Sequence, residues 1–309
     1  MKGPLFYAKI LLFGEYGIIK NAKGLSIPYN YFKGALRMDD TSAKTAVESN
    51  NKLKSFANHL SEIDASLVSF ELKRLHADLE KGMYFDSSIP QGYGVGSSGA
   101  LVAAIYDRYA RNKITVLENL TRTKLTQLKQ IFSAMESFFH GKSSGLDPLN
   151  SYLSLPILIH SKSNIEPTGI PSQTPDSKAA VFLLDSGMTS ETAPMVSIFM
   201  DNLEAPAFRK MLKQEFISIS DSCIEHFLSG NIKALFSDVK KLSSIVLHNF
   251  KPMIPARFHD LWKKGLDTNA YYLKLCGSGG GGYILGFTQD LPKAKALLVG
   301  HQIEVVYQF

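Results

Sequence analysis

Residues 90–98 read Pro90-Gln91-Gly92-Tyr93-Gly94-Val95-Gly96-Ser97-Ser98, with glycine at every second position ahead of two serines. Glycine lacks a side chain and reaches left-handed backbone angles, so such a run lets backbone N–H groups turn inward and approach an anion closely. The apolar stretch Ala100-Leu101-Val102-Ala103-Ala104-Ile105 that follows predicts a helix to about Tyr109, with Ser97 or Ser98 as its N-cap. Its free N–H groups and positive dipole end would face the same point. The chemistry implied is phosphate binding by Gly92, Gly94, Gly96, Ser97, Ser98 and Gly99. A tight packing turn has the same composition, so this loop alone does not separate the two readings.

Two common phosphate-loop classes are disfavoured. No Gly-Lys-Ser/Thr closes the loop, and the position about 20 residues on, where a dinucleotide fold wants an acidic residue, holds Leu117 and Glu118 in the wrong setting.

The elements that must carry this loop follow from hydrophobic spacing. Residues 5–19 read as a strand, a tight polar turn at Gly14-Glu15-Tyr16 and a second strand. Residues 49–80 show helical spacing through Leu53, Phe56, Ala57, Leu60, Leu67 and Leu75, broken near Asp64, which predicts two helices. Another helix carries Leu125, Leu128, Ile131, Phe132, Met135 and Phe139, and a polar loop at 140–145 separates it from the apolar segment 146–153. Residues 161–178, rich in Ser, Pro, Asn and Thr, read as an exposed connection between lobes spanning 1–165 and 166–309. Beyond it come a strand at 179–185, helices through most of 192–266, then strand, glycine turn, strand, helix and strand over 271–309. The order is α+β, without repeats.

Composition bounds the rest. A chain of 309 residues with 45% apolar and 20% charged residues can bury a sizeable core in one large or two closely packed domains. The net charge of +6 comes from scattered Lys and Arg accompanied by Asp or Glu, unlike a nucleic-acid footprint. Cys223 and Cys276 lie far apart, which suggests neither a zinc site nor a disulfide framework. Lys2 and Lys9 interrupt what a secretory signal would need, and no apolar run reaches membrane-spanning length. A soluble, cytoplasmic chain with no membrane or nucleic-acid partner is expected, as a monomer or homodimer.

The run from Pro90 through Gly99-Ala100 resembles the Pro-x-Gly-x-Gly-Leu-Gly-Ser-Ser-Ala-Ala signature of the GHMP kinases. Lys9-Ile10-Leu11-Leu12-Phe13-Gly14-Glu15-Tyr16 is similar to that family's amino-terminal motif. Lys274-Leu275-Cys276-Gly277-Ser278-Gly279-Gly280-Gly281-Gly282 is similar to its carboxy-terminal glycine motif. Within the family, Glu136 followed by His140-Gly141-Lys142-Ser143-Ser144-Gly145-Leu146-Asp147 looks like the mevalonate-kinase pattern. Three residues depart from the usual forms: Ala8 for Gly, Tyr16 for His, and Ser143 for Pro.

The resemblance implies a two-lobed fold with an N-terminal ribosomal-protein-S5-like lobe and a C-terminal ferredoxin-like lobe. It implies ATP and Mg²⁺ as cofactors, with Ser98 and Glu136 holding the metal. Asp147 would face the acceptor hydroxyl and Lys9 would stabilise charge beside it, while Glu15, Tyr16, Thr192 and Gly279 would contact substrate. The implied activity is phosphoryl transfer to mevalonate or a related hydroxy acid, with phosphomevalonate the second acceptor suggested by Glu15-Tyr16. Another GHMP small-molecule kinase, or a ligand-binding homologue without turnover, are further readings, and a decarboxylase relative lacks this Glu/His-Gly spacing. Singly, Lys9, Glu136 and Asp147 have ordinary explanations as a solvated strand lysine, an exposed helix residue and a helix N-terminal charge.

Overall fold

The computed structural model describes residues 4–38, 42–115 and 120–309. Leu117 and Glu118, like Lys2, lie outside them. Two antiparallel sheets organise the chain, each carrying its own helices.

In the first half the elements are β1 (Phe6–Phe13), β2 (Gly24–Arg37), α1 (Lys44–Glu62), α2 (Leu72–Glu80), β3 (Tyr84–Ser87), α3 (Ser97–Tyr109), α4 (Arg122–His140), α5 (Leu146–Leu153), β4 (Ile157–Ser161) and β5 (Asn164–Pro167). The sheet runs β1-β2-β4-β5, and β3 pairs with the far half of β2. β1 is apolar almost throughout because α3, α5 and a helix of the second half pack against it. In α4 the buried Leu125, Leu128, Ile131, Phe132 and Met135 form one helical stripe, and Thr121 caps the helix by accepting from the Lys124 N–H.

The second half comprises β6 (Ala180–Asp185), α6 (Thr192–Asn202), α7 (Pro206–Met211), α8 (Ser218–Leu228), α9 (Ile232–Asn249), α10 (His259–Thr268), β7 (Tyr272–Leu275), β8 (Tyr283–Thr288), α11 (Leu291–Leu297) and β9 (Ile303–Gln308). A π-helical turn, Leu212–Ile217, joins α7 to α8. The sheet order β7-β8-β6-β9 is that of a split β-α-β-β-α-β unit, a ferredoxin-like lobe whose first crossover has grown into the run of helices α6 to α10.

Three expectations change. No second strand follows the turn at 14–16: a 3₁₀ turn, Gly17–Lys20, comes first, and the 14-residue β2 begins at Gly24. Positive φ at Gly14, Tyr16 and Asn21 bends this segment back on itself, so that a Cβ on Gly14 would lie 2.6 Å from the Gly24 Cα. The alternation of β2 is masked in sequence by Pro28, Asn30 and Gly34. The connection expected over 161–178 includes β5, which pairs with β4 and completes the first sheet before the exposed stretch begins. The cap of α3 is Gly96, at φ +82°, and neither Ser97 nor Ser98 caps the helix through its side chain.

The two halves share one apolar core. Phe13 stacks on Phe287 at 5.5 Å, and Tyr16 packs its ring on Phe199 at 4.6 Å. No helix among the described residues is long and apolar enough to cross a membrane.

Candidate active site

The glycine loop lies between β1 and the glycine run of the second lobe. Gly92, Gly94 and Gly96 all have left-handed φ, +74°, +76° and +82°. Each also faces a different wall. An added Cβ would stand 3.0 Å from the Thr189 Cβ at Gly92, 2.6 Å from the Cys276 carbonyl oxygen at Gly94, and 2.9 Å from the Lys9 Cγ at Gly96. Glycine is thus required by backbone angle and by close approach together. The Ser190 N–H donates to the Gly92 carbonyl at 3.0 Å, and the Lys9 N–H donates to the Val95 carbonyl at 3.0 Å. Tyr93 meets Tyr283 edge-on at 4.9 Å. The loop opens into α3, whose 13 residues direct their N-terminal end at the same place.

Gly99, one turn into α3, lets α5 come close: a Cβ there would lie 2.7 Å from the Asp147 carbonyl carbon. Two helix N-termini therefore converge, with Asp147 in the first turn of α5. Lys9 Nζ is 3.0 Å from Asp147 Oδ1, with the Lys9 side chain buried and that of Asp147 38% exposed. Burial would push the Lys9 ammonium below its ordinary value, but the carboxylate of Asp147 outweighs it and raises the group, so it stays charged.

Glu136, in the last turns of α4, is 4% exposed. Its Oε1 accepts from Ser98 Oγ at 3.0 Å, and its Oε2 accepts from Ser143 Oγ. Burial, then the negative charge of Asp147, push its carboxyl up to about 7 against the pull of these hydroxyls and of Lys9. His140 Nε2 lies 3.1 Å from Ser98 Oγ. Ser98 has one hydroxyl proton, so when Glu136 receives it the imidazole donates to Ser98. Ser98 lies one residue inside α3, past the N-cap position held by Gly96, which leaves its hydroxyl to Glu136 and His140. Burial holds the His140 imidazole below its ordinary value, against the pull of Asp147.

Lys9, Ser98, Glu136 and Asp147 thus come together with the glycine loop. The remaining sequence candidates stand differently. Glu15 is buried against Lys274 of β7, and Tyr16 is buried with its hydroxyl donating to the Ser278 carbonyl at 2.6 Å, so both are tied up between the lobes. Thr192 begins α6 and is exposed, whereas Thr189 and Ser190 of the same segment touch the glycine loop. Gly279 packs on the Met253 carbonyl, 2.5 Å from its would-be Cβ, while Cys276 and Gly282 press on the loop. Cys276 is buried, and burial pushes its thiol up to about 11, as befits a packing residue. His140 and Ser143, which are not among the site residues implied by the resemblance, also reach Ser98 and Glu136. The spacing of four from Glu136 to His140, one turn of α4, was the available signal for the former.

Chemically the site offers free helix-terminal N–H groups, one buried cation, one partly exposed carboxylate and a carboxylate–hydroxyl pair. Among the described residues no cluster of three or more His, Cys, Asp or Glu could hold a metal ion. Glu136 and Ser98 supply two hard oxygen donors 3.0 Å apart, which fits a Mg²⁺ that takes its other ligands from phosphate oxygens and water.

Residues 51–154 match the family model described as GHMP kinases N terminal domain. No curated protein matches the chain by sequence. Among solved structures, the L. major mevalonate kinase in complex with R-mevalonate superposes with a TM-score of 0.67 at 16% identity, covering 100% of this chain and 96% of that one. The Streptococcus pneumoniae phosphomevalonate kinase in complex with phosphomevalonate and AMPPNP gives 0.61 at 12% identity, covering 98% and 99%. The Lactococcus lactis galactokinase complexed with galactose gives 0.60 at 12% identity, covering 98% and 92%.

Proposed function

From a chain whose residues 51–154 match the GHMP kinases N terminal domain, and whose fold is like that of solved mevalonate, phosphomevalonate and galactose kinases, we propose an ATP-dependent kinase that phosphorylates the hydroxyl of mevalonate. The observation that carries this reading is the Lys9–Asp147 pair at 3.0 Å beside the glycine loop. The loop N–H groups and the end of α3 hold the triphosphate. Asp147 accepts or orients the proton of the acceptor hydroxyl as its oxygen bonds to the γ-phosphorus and ADP departs. Lys9 pairs with Asp147 and offsets charge on the transferring group. Glu136 and Ser98 would hold Mg²⁺, which when bound neutralises phosphate oxygens.

Mevalonate is preferred as acceptor because Glu136, His140, Gly145 and Asp147 keep the spacing of the mevalonate-kinase pattern. Phosphomevalonate is the second candidate acceptor, suggested by Glu15-Tyr16 and by the likeness of fold to the phosphomevalonate kinase. We draw the lobe boundary in the connection after β5. ADP release measured with mevalonate, phosphomevalonate, homoserine and galactose tests the assignment. Turnover is expected with mevalonate, and none with it would sink the reading.

A further inference from the structure

The polar loop between α4 and α5 holds one side chain whose connections exceed what closing a loop requires. Ser143 Oγ donates to Glu136 Oε2 and accepts from the Gly145 N–H at 3.0 Å, while the Ser143 carbonyl accepts from Ser133 Oγ at 2.6 Å. The loop is pressed onto α4: a Cβ at Gly145 would lie 2.2 Å from the Lys129 carbonyl oxygen and 2.7 Å from the Ser133 nitrogen. Ser143 is thus anchored from its own backbone and from α4, and its hydroxyl is aimed at a carboxylate that is 4% exposed.

Ser143 stands where the family pattern has proline, a residue that would stiffen the loop but offer Glu136 nothing. Glu136 then has each oxygen spoken for separately, Oε1 by Ser98 and Oε2 by Ser143. Two such hydrogen bonds from independently anchored elements fix the plane of the carboxylate, which a single bond would leave free to rotate. We propose that Ser143 is a positioning residue for Glu136, holding Oε2 so that Oε1, beside Ser98, is presented to a divalent cation. This rests on the assignment of Glu136 and Ser98 as the metal-holding pair.

The test measures Mn²⁺ binding, by electron paramagnetic resonance or calorimetry, to the full chain with AMPPNP. Ser143→Val, nearly isosteric with Thr but lacking a hydroxyl, is expected to weaken Mn²⁺ about tenfold. Ser143→Thr should keep the wild-type affinity, and AMPPNP binding without metal should be unchanged in both. Ser143→Ala removes the same hydroxyl without added bulk and decides the matter should the valine variant not fold. Glu136→Gln separates the two levels of inference. If it leaves Mn²⁺ affinity intact, the metal assignment fails and this proposal with it. If it weakens Mn²⁺ while Ser143→Val and Ser143→Ala bind like wild type, only the role of Ser143 is overturned.

Discussion

Lys274 Nζ donates to Glu15 Oε1 at 2.5 Å with both side chains no more than 5% exposed, an ion pair that joins the turn after β1 to β7 across the two lobes. Lys274 also donates to the Leu275 carbonyl at 2.7 Å. Burial lifts the Glu15 carboxyl above its ordinary value even against the pull of Lys274. Removing one partner leaves the other charged or unpaired in the core, so Glu15→Gln and Lys274→Met should each destabilise the fold by about 3–5 kcal/mol. Glu15→Gln combined with Lys274→Met should cost less than the sum of the two separate losses. Urea denaturation of the three variants measures this, and additive losses would contradict the pairing.

Asp147→Asn keeps shape and hydrogen-bonding reach at the start of α5 while removing the charge opposite Lys9. Turnover is expected to fall by about 10²–10⁴-fold, the span of a lost acid–base group, with nucleotide affinity little changed. Lys9→Met, which keeps the stem that lies against Gly96, should also lower kcat because Asp147 loses its cation. A fully active Asp147→Asn enzyme would remove that residue from the chemistry.

The carboxyl of Glu136, raised to about 7, gives a pH dependence whose sign can be worked out. A carboxyl raised in the fold favours the native state while protonated, so its contribution to the stability of the metal-free protein is complete below the unfolded value of 4.5 and is lost as pH climbs through 7. Cation binding runs the other way, since it requires the carboxylate. Affinity for Mg²⁺ with nucleotide should rise with pH up to about 7 and level off above, releasing a proton from the enzyme at a pH of about 6. Calorimetry in buffers of different ionisation enthalpy, corrected for the nucleotide's own proton, counts that release.

Gly94 and Gly141 separate backbone strain from crowding. Both have left-handed φ, +76° and +69°, but a Cβ at Gly94 meets the Cys276 carbonyl oxygen at 2.6 Å, whereas one at Gly141 meets nothing within 4 Å. Gly141→Ala should carry only the strain of about 1 kcal/mol. Gly94→Ala should cost more and also weaken nucleotide binding by shifting the loop. Thermal melts and AMPPNP titrations compare the two.

Much of this site was legible because its residues obey local rules. Alternate glycines before an apolar run signalled the loop and α3, and the spacing from Glu136 to Asp147 placed both around one polar turn. What was not legible depends on contacts between segments far apart in sequence. Nothing near Glu15 or Tyr16 says that Lys274 and Ser278 will bury them, and nothing near residue 189 says that Thr189 will meet Gly92. The 14-residue β2 was hidden because Pro28, Asn30 and Gly34 break its alternation, although β1, β3 and β4 all pair with it. Serine before an apolar run usually caps a helix, but here α3 starts one residue earlier, at Ser97 after Gly96, so that Ser98 sits inside it and turns its hydroxyl to Glu136 of α4.

The close packing of Gly94 on Cys276, and of Gly282 on Tyr93, also bears on how the protein is made. A nascent chain that has emerged through α5 already contains Lys9, Ser98, Glu136 and Asp147, yet Cys276 and Gly282, which pack on the glycine loop, have not been synthesised. Pairings of such long sequence separation form late. The shape of the glycine loop is therefore set by long-range contacts with the second half of the chain, and closing it belongs to the later events of folding.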